Sequence, residues 1–396
     1  MIRELADDCV HCGFCLPTCP TYVLWNEEMD SPRGRIHLMD ALLDGTVALN
    51  RTVVEHFDRC LGCLACVSSC PSGVQYGRLI EATKETVERE FVRSRGERLQ
   101  RSLLFSVLPY PRRMRLALAL APLGRRVPLP RRIRAMVEIA PPWHSTERVP
   151  PVTPATGEVR GNVGMLLGCV QQAVFGDVNA ATARVLAAEG FEVSAPPQGC
   201  CGALSAHSGR PDEARAFTHR LHESLAGVET LVVNAAGCGS HLKEADGGPN
   251  VLDAAELLAS LPPRAELHPL ELTVAYQDAC HLRHAQQLPA VWRPLLERIP
   301  GLTVVEPAEQ DVCCGSAGTY NIVQAKAAGA LGDRKAAHVL ATGAECFASA
   351  NPGCLVQVAT ALRRARGPLP SLHPVELLDA SIRNVPAAEL LSRTRR

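Results

Sequence analysis

The chain has 396 residues, room for about two to four folding units of ordinary size. Apolar residues make up 46% of it and aromatics only 4%, which excludes wholesale disorder and makes the cores aliphatic. The 41 basic residues balance 41 acidic ones, so a globally basic nucleic-acid binder is not expected, and no run approaches the ~18 apolar residues of a bilayer-spanning helix.

At the N-terminus, Glu4, Asp7 and Asp8 stand where a secretory signal needs an apolar run, which points to a cytoplasmic protein. Disulfides are rare in that compartment, and an odd total of 17 cysteines argues against a paired framework. Clustered thiols there imply metal or redox chemistry. Eight of them form two runs, Cys9-x2-Cys12-x2-Cys15-x3-Cys19-Pro20 and Cys60-x2-Cys63-x2-Cys66-x3-Cys70-Pro71. Both have the spacing of a bacterial two-cluster ferredoxin. Three cysteines two residues apart wrap three corners of a cubane, and the fourth is carried off by the next turn to the partner cluster. This assigns Cys9, Cys12, Cys15 and Cys70 to one 4Fe-4S cluster, and Cys60, Cys63, Cys66 and Cys19 to the second. Structural zinc is the alternative, but zinc prefers spaced ligand pairs closing a tetrahedron. The crossing staples the runs together and offsets the small core of residues 1–88. Between the runs, Ser31 and Pro32 predict a capped helix start, with the helix continuing through Leu43. Arg33 and Arg35 either offset the negative charge of nearby clusters or form a solvated first turn.

Residues 1–88 carry 7 Lys and Arg against 13 Asp and Glu, a net of −6, whereas Arg89 to Arg134 hold 13 Arg and 2 Glu, a net of +11. That reversal marks a boundary. Within the basic stretch, Leu103-Leu104-Phe105 and Leu116-Ala117-Leu118-Ala119-Leu120 are interrupted by Pro109, Pro111 and Arg112-Arg113-Met114-Arg115. Three readings stand: peripheral contact with an anionic membrane surface, a docking face for a partner subunit, or helices packed on their own domains with the arginines solvated. Pro141-Pro142, Pro150-Pro151 and Pro154 then read as an extended linker.

After about Gly161 the sequence repeats. Cys169, Gly199-Cys200-Cys201-Gly202 and Cys238 are followed by Cys280, Val312-Cys313-Cys314-Gly315 and Cys354, at offsets of 111, 113 and 116. Near-constant offsets over three landmarks signal a duplicated domain. Short β-rich runs alternate with helical patterns over Asp177–Gly190, Asp212–Leu225, Leu288–Ile299 and Val323–Leu340, which predicts α/β units with a mostly parallel sheet. The cysteines then fall at strand ends, where open α/β sheets place their ligands. Four thiolates per repeat (Cys169, Cys200, Cys201 and Cys238; Cys280, Cys313, Cys314 and Cys354) suit a further iron–sulfur cluster or a zinc ion. The bland alternative is cysteine used as a small buried apolar residue. Cys346 has no counterpart in the first repeat and reads as a strand residue. The fold class expected is α+β multidomain. A mostly helical, ferredoxin-like two-cluster domain at 1–88 and a basic helical segment with linker at 89–160 precede duplicated α/β domains at 161–265 and 266–396.

Cys9-Val10-His11-Cys12-Gly13-Phe14-Cys15 through Cys19-Pro20-Thr21-Tyr22, then Asp30-Ser31-Pro32-Arg33-Gly34-Arg35, Asp58-Arg59-Cys60-Leu61-Gly62-Cys63 and Cys70-Pro71-Ser72-Gly73-Val74, resemble the iron–sulfur subunit of bacterial glycolate oxidase. Both Cys-Cys-Gly motifs fit as well, so the resemblance spans essentially the whole chain. Related subunits serve anaerobic glycerol-3-phosphate dehydrogenase, lactate-utilisation complexes and heterodisulfide reductases. The resemblance implies a supporting role: a separate FAD-binding dehydrogenase subunit oxidises a 2-hydroxy acid, and this chain relays electrons towards a quinone or another membrane acceptor. Consistent with a flavin held elsewhere, no Gly-x-Gly-x-x-Gly fingerprint follows a predicted strand. In heterodisulfide reductase subunits a similar motif ends in Cys-x-x-Cys and holds a noncubane cluster. Here His241 and Gln357 stand at that last position. Asp278-Ala279-Cys280-His281-Leu282 also resembles the family, with His281 as a partner of a ligand, a ligand, a proton carrier or simply a histidine bonded in a turn. His207, His241 and His284 are weaker candidates of the same kind.

Overall fold

The computed structural model describes residues 2–142, 145–365 and 369–394. The chain is an α+β multidomain protein: a helical N-terminal ferredoxin-type part precedes two cysteine-rich parts built on parallel sheets. The first Cys run lies ahead of the helix Pro20–Trp25, and the second lies between the helices Arg51–Asp58 and Tyr76–Glu90. Between them the helix Pro32–Leu43 starts as expected, with the Ser31 hydroxyl accepting from the Gly34 N–H at 3.0 Å and Pro32 in the first turn. The basic stretch folds into three helices, Arg95–Val107, Pro111–Arg126 and Arg131–Ile139.

Among the described residues nine strands follow. β1 (Val152–Thr153), β2 (Gly161–Met165), β3 (Phe191–Ser194), β4 (Thr230–Val233) and β5 (Asn250–Asp253) form one sheet in the order β1-β3-β2-β4-β5. β6 (Leu272–Tyr276), β7 (Leu302–Val305), β8 (Cys346–Ala348) and β9 (Ser371–Leu372) form the other in the order β7-β6-β8-β9. Every pairing is parallel except β1 with β3. Without β1 the two orders trace the same path, so the cysteine repeat is a repeat of topology. β1 closes the proline-rich stretch by covering the outer edge of β3, a device that blunts an exposed sheet edge.

The two sheets share one aliphatic core. Val163, Val193 and Val232 of the first and Val274, Ala275 and Phe347 of the second belong to it, and so do Leu61, Cys63 and Ala65 of the second Cys run. The C-terminal helix Pro374–Ile382 returns to the first repeat, where Asp379 receives both arms of Arg184 at 2.8 Å from the helix Gly176–Ala188.

One predicted element is corrected. The helix expected over Leu288–Ile299 is confined to Arg293–Glu297, because His281–Ala285 forms a π-type turn and Gln287 and Ala290 adopt φ of 56° and 54°. The Asp278 carboxylate accepts the Ala290 N–H at 2.8 Å and fixes this loop beside Cys280, while Pro289 and Pro294 resist a longer helix.

The glycine that ends each Cys-Cys-Gly motif has a definite backbone reason. Gly202 and Gly315 turn at φ +98° and +92°, and a Cβ there would lie 2.6 Å from the Ala214 carbonyl oxygen and 2.8 Å from that of Ala328. Each loop is pressed against the following helix in a conformation that L side chains rarely adopt. Gly315→Ala should therefore cost about 2 kcal/mol or more, from backbone strain together with overpacking. Gly343→Ala, at φ +70° with nothing within 4 Å, should cost about 1 kcal/mol. Denaturant titration of both variants checks the difference, and equal losses would remove the close-approach argument.

Candidate metal and redox centre

The N-terminal thiols gather in two neighbouring groups. Burial pushes the Cys9 thiol up, and nearby Cys70 and Cys12 push the same way. Burial likewise raises Cys15, opposed by a hydrogen bond from the Arg33 backbone N–H, with Cys19 and Cys9 close enough to add to the rise. Cys12 is exposed, and the apolar side chains of Val10 and Phe14 beside it are 68% and 67% exposed. Arg33 is not a solvated first-turn residue. It grips Glu28 at 2.6 and 3.1 Å and donates to the His11 carbonyl at 2.9 Å, clamping the first Cys loop onto the helix start.

Cys19, Cys60, Cys63 and Cys66 line one small cavity together with Arg35 and Tyr76. Burial raises Cys66 well above its usual range, and Cys60, Cys19 and Cys15 add to it. Burial opposes ionisation at Cys60 too, yet the charges of Arg35 and Lys84 hold this thiol below its usual value. Arg35 is fully buried. Its guanidinium donates to the His56 carbonyl at 2.7 Å, to Thr21 Oγ1 at 3.1 Å and to Asp30 at 3.4 Å. Asp30 is also held by Arg59 at 2.8 Å and His56 at 2.9 Å. Thr21 meets the Cys19 sulfur at 3.3 Å, and the Tyr76 hydroxyl meets that of Cys60 at 3.7 Å. Four buried thiols beside a buried cation fit a compact anionic iron–sulfur group, for which deprotonated cysteines are the ligands.

Each repeat brings its four cysteines together. Cys169 and Cys200 sulfurs lie 3.5 Å apart, and Cys201 touches both Cys200 and Cys238. In the second repeat Cys280 and Cys313 lie 3.8 Å apart, and Cys314 touches both Cys313 and Cys354. These are chains of neighbouring sulfurs, and among the described residues no group of three or more ligand side chains is arranged to hold a single metal ion. Cys346 is buried in β8, apart from these sets, as expected of a strand residue. The departures from Cys-x-x-Cys have structural work. His241 hydrogen-bonds Thr218 at 3.1 Å, and Thr218 donates to the Cys201 carbonyl at 2.9 Å. Gln357 donates to the Ala328 carbonyl at 2.6 Å, against the helix that packs on Gly315. Both side chains tie the helix that carries the last cysteine of the repeat to the helix that follows its Cys-Cys-Gly loop.

Both repeats also meet the N-terminal part. The Cys63 thiol hydrogen-bonds Cys313, the first cause of its strongly raised pKa, with burial next. Ser68 joins His284 at 2.8 Å, and Lys84 donates to the carbonyls of Cys60 at 3.2 Å and His207 at 3.3 Å. His281 is buried with Nδ1 3.6 Å from the Cys280 sulfur, and burial lowers its pKa to about 4, leaving a neutral imidazole at neutral pH. Sequence reasoning named Asp30 within a motif but gave it no role, and passed over Tyr76, Lys84 and Lys335. Lys335 is buried on the inner face of the helix Ala325–Ala341, in the field of Cys314, Cys313 and Cys354. A lysine on the apolar stripe of that helix was the available signal.

Residues 163–243 and 274–359 match the cysteine-rich domain family termed CCG, and residues 5–74 match the 4Fe-4S dicluster domain. The chain is 36% identical over 395 residues to the glycolate oxidase iron-sulfur subunit of Escherichia coli (strain K12), covering 94% of this chain and 93% of that one. It is 34% identical over 412 residues to the probable glycolate oxidase iron-sulfur subunit of Bacillus subtilis (strain 168), with 94% and 93% covered. A subunit of the fumarate reductase (CoM/CoB) of Methanothermobacter marburgensis is 32% identical over 225 residues, 55% of this chain and 46% of that protein. A crystal structure of a hypothetical protein from Helicobacter pylori shares the fold, with a TM-score of 0.53 at 9% identity over 91% of this chain and 69% of that one. The chain belongs to the family of glycolate oxidase iron–sulfur subunits, electron-transfer components of an oxidoreductase.

The buried charge of Arg35 should set the potential of whatever group the Cys19, Cys60, Cys63 and Cys66 thiols hold. Arg35→Gln should make that group harder to reduce, by a shift on the order of 100 mV, while Arg35→Lys should recover most of it. An EPR-monitored redox titration reads the shift, provided iron content is unchanged. A potential that ignores the charge at this position would sever the link between Arg35 and the sulfur set.

Proposed function

We propose that the chain carries electrons from an FAD-bearing subunit that oxidises a 2-hydroxy acid, glycolate in the first instance, towards a quinone or other membrane acceptor. In this reading Cys9, Cys12, Cys15 and Cys70 hold one 4Fe-4S cluster, and Cys60, Cys63, Cys66 and Cys19 hold the other. The repeats at 161–265 and 266–396 add at least one further iron–sulfur group on Cys169, Cys200, Cys201 and Cys238 or on Cys280, Cys313, Cys314 and Cys354. A chain of four sulfurs favours a group of several irons over the single tetrahedral zinc that the same residue types also suit.

One observation carries the reading: the Cys63–Cys313 contact joins the second ferredoxin-type site directly to the second repeat. The path then runs from the first ferredoxin-type site through the second to the second repeat. Electrons enter at the first, where Cys12 is exposed between Val10 and Phe14 and a flavin subunit has an apolar edge to dock on. They leave from the repeats. Membrane delivery is supported by the helix Pro111–Arg126, whose Leu116, Leu120 and Leu123 form an exposed stripe at helical spacing among arginines. No described helix is long and apolar enough to cross a membrane, so the contact proposed is peripheral, on the anionic cytoplasmic leaflet.

Cys12→Ser should cut acceptor reduction by at least about tenfold in the assembled complex, while substrate still bleaches the flavin. Stopped-flow absorbance separates the two steps, and undiminished acceptor reduction would break the wire. The isolated chain should show no dehydrogenase activity with glycolate, lactate or glycerol 3-phosphate. Iron and acid-labile sulfide in anaerobically purified protein should reach about twelve or more per chain, whereas about eight would confine the clusters to the N-terminal part.

A further inference from the structure

All eight repeat cysteines open onto a single cavity of about 370 Å³, space that an iron–sulfur group on those thiols would share with a bound small molecule. Opposite the thiols its wall is made of carbon. Met114, Leu118 and Ala121 come from the inner stripe of the helix Pro111–Arg126, and Ile133, Met136 and Val137 from the helix Arg131–Ile139. The last three are only half-buried and line this space. Two imidazoles also reach it. His207 and His281 lie with ring centroids 5.2 Å apart and their planes tilted by 42°, and the Nε2 of each is buried without a hydrogen-bond partner. Its occupant must therefore be largely apolar, must accept electrons from sulfur-bound centres, and must offer oxygen atoms to imidazole N–H groups.

We propose that this cavity is where a quinone-class acceptor binds and is reduced, with its ring between the thiol wall and the helix Arg131–Ile139 and a carbonyl oxygen bonded to His281 or His207. This names the acceptor site of the proposed electron path and rests on that function. The balance is a two-electron reduction: two electrons arrive from the 2-hydroxy acid, which leaves the flavin subunit as a 2-oxo acid, and two protons convert the quinone to its quinol. The protons come from solvent, to which this wall is linked by the partly exposed Glu81, 2.8 Å from His207 Nδ1. The helix Pro111–Arg126, which gives Met114, Leu118 and Ala121 to the wall, turns its Leu116, Leu120 and Leu123 stripe outward, so a lipid-dissolved quinone meets the cavity from the membrane side.

The test uses the purified complex and a short-chain ubiquinone bearing a photoactive azido group. Cross-linked peptides should come from the helices Pro111–Arg126 and Arg131–Ile139. Met136→Trp, which fills the carbon wall, should weaken equilibrium binding of the unmodified short-chain quinone about tenfold or more at unchanged iron content. Label confined to other segments, or an unaltered binding constant in a loaded, folded Met136→Trp protein, overturns the proposal. If that variant fails to load iron, the labelling of wild-type protein still decides. Failure of the underlying function looks different: the clusters would stay oxidised, by EPR, when 2-hydroxy acid is added to the complex. With only the cavity misassigned, they would reduce normally while the label lands elsewhere.

Discussion

The contact between the Arg35 guanidinium and the sulfur-lined cavity beside it is the interaction on which the rest of the molecule hangs. Arg35 shares the Asp30 carboxylate with Arg59, which also pairs with Glu55, so the Arg35 guanidinium is only partly neutralised by Asp30 at the place where Cys19 and Cys60 are buried. A guanidinium without water would be costly, and so would a thiolate; side by side each lowers the cost of the other. The network also ties the first Cys run, through Thr21, to the end of the helix before the second, through His56 and Arg59. The two runs are thereby held in register by the same groups that offset their charge.

That rigid unit then acts asymmetrically on a symmetric pair. The two repeats have the same strand order and the same Cys-Cys-Gly turn. Only the second receives Cys63 at its own Cys313 and carries a buried lysine, Lys335, near its thiols. Duplication followed by such a difference gives two sulfur sites of unequal electrostatic surroundings within one core. A graded pair is what directional electron flow needs, because cluster potentials respond to hydrogen bonding, burial and nearby charge.

Much of this was legible in the sequence, and the reasons are specific. The ferredoxin spacing is local, so Cys9 to Cys19 and Cys60 to Cys70 read directly. The near-constant cysteine offsets predicted the duplicated parallel sheets, and Ser31-Pro32 predicted the helix start that the Ser31 cap then shows. What did not read were features set by distant parts of the chain. Arg33 and Arg35 were two equal possibilities until Glu28, His11, Thr21 and Asp30 were seen around them. The helix expected over Leu288–Ile299 fails because Asp278, twelve residues before Ala290, captures a backbone N–H and stabilises a looped path. No spacing rule reveals that Cys63 faces Cys313, since 250 residues separate them and the contact exists only through the shared core.

The basic stretch shows how one helix resolves several demands at once. In Pro111–Arg126, Met114, Leu118 and Ala121 recur at helical spacing on one side, while Leu116, Leu120 and Leu123 recur on the other. A helix needing only to pack on its own domain requires a single apolar stripe, and one lying only on a surface requires the same. Two opposed stripes separated by arginines make the helix a partition between two apolar environments. On the inside lies the sulfur-lined space between the repeats; on the outside the arginines suit an anionic boundary, with the leucines reaching past them. Of the sequence readings of this segment, packing on its own domains is seen in the inner stripe, where Met114 and Leu118 meet Ala173 and Val174, while Leu116, Leu120 and Leu123 stay exposed.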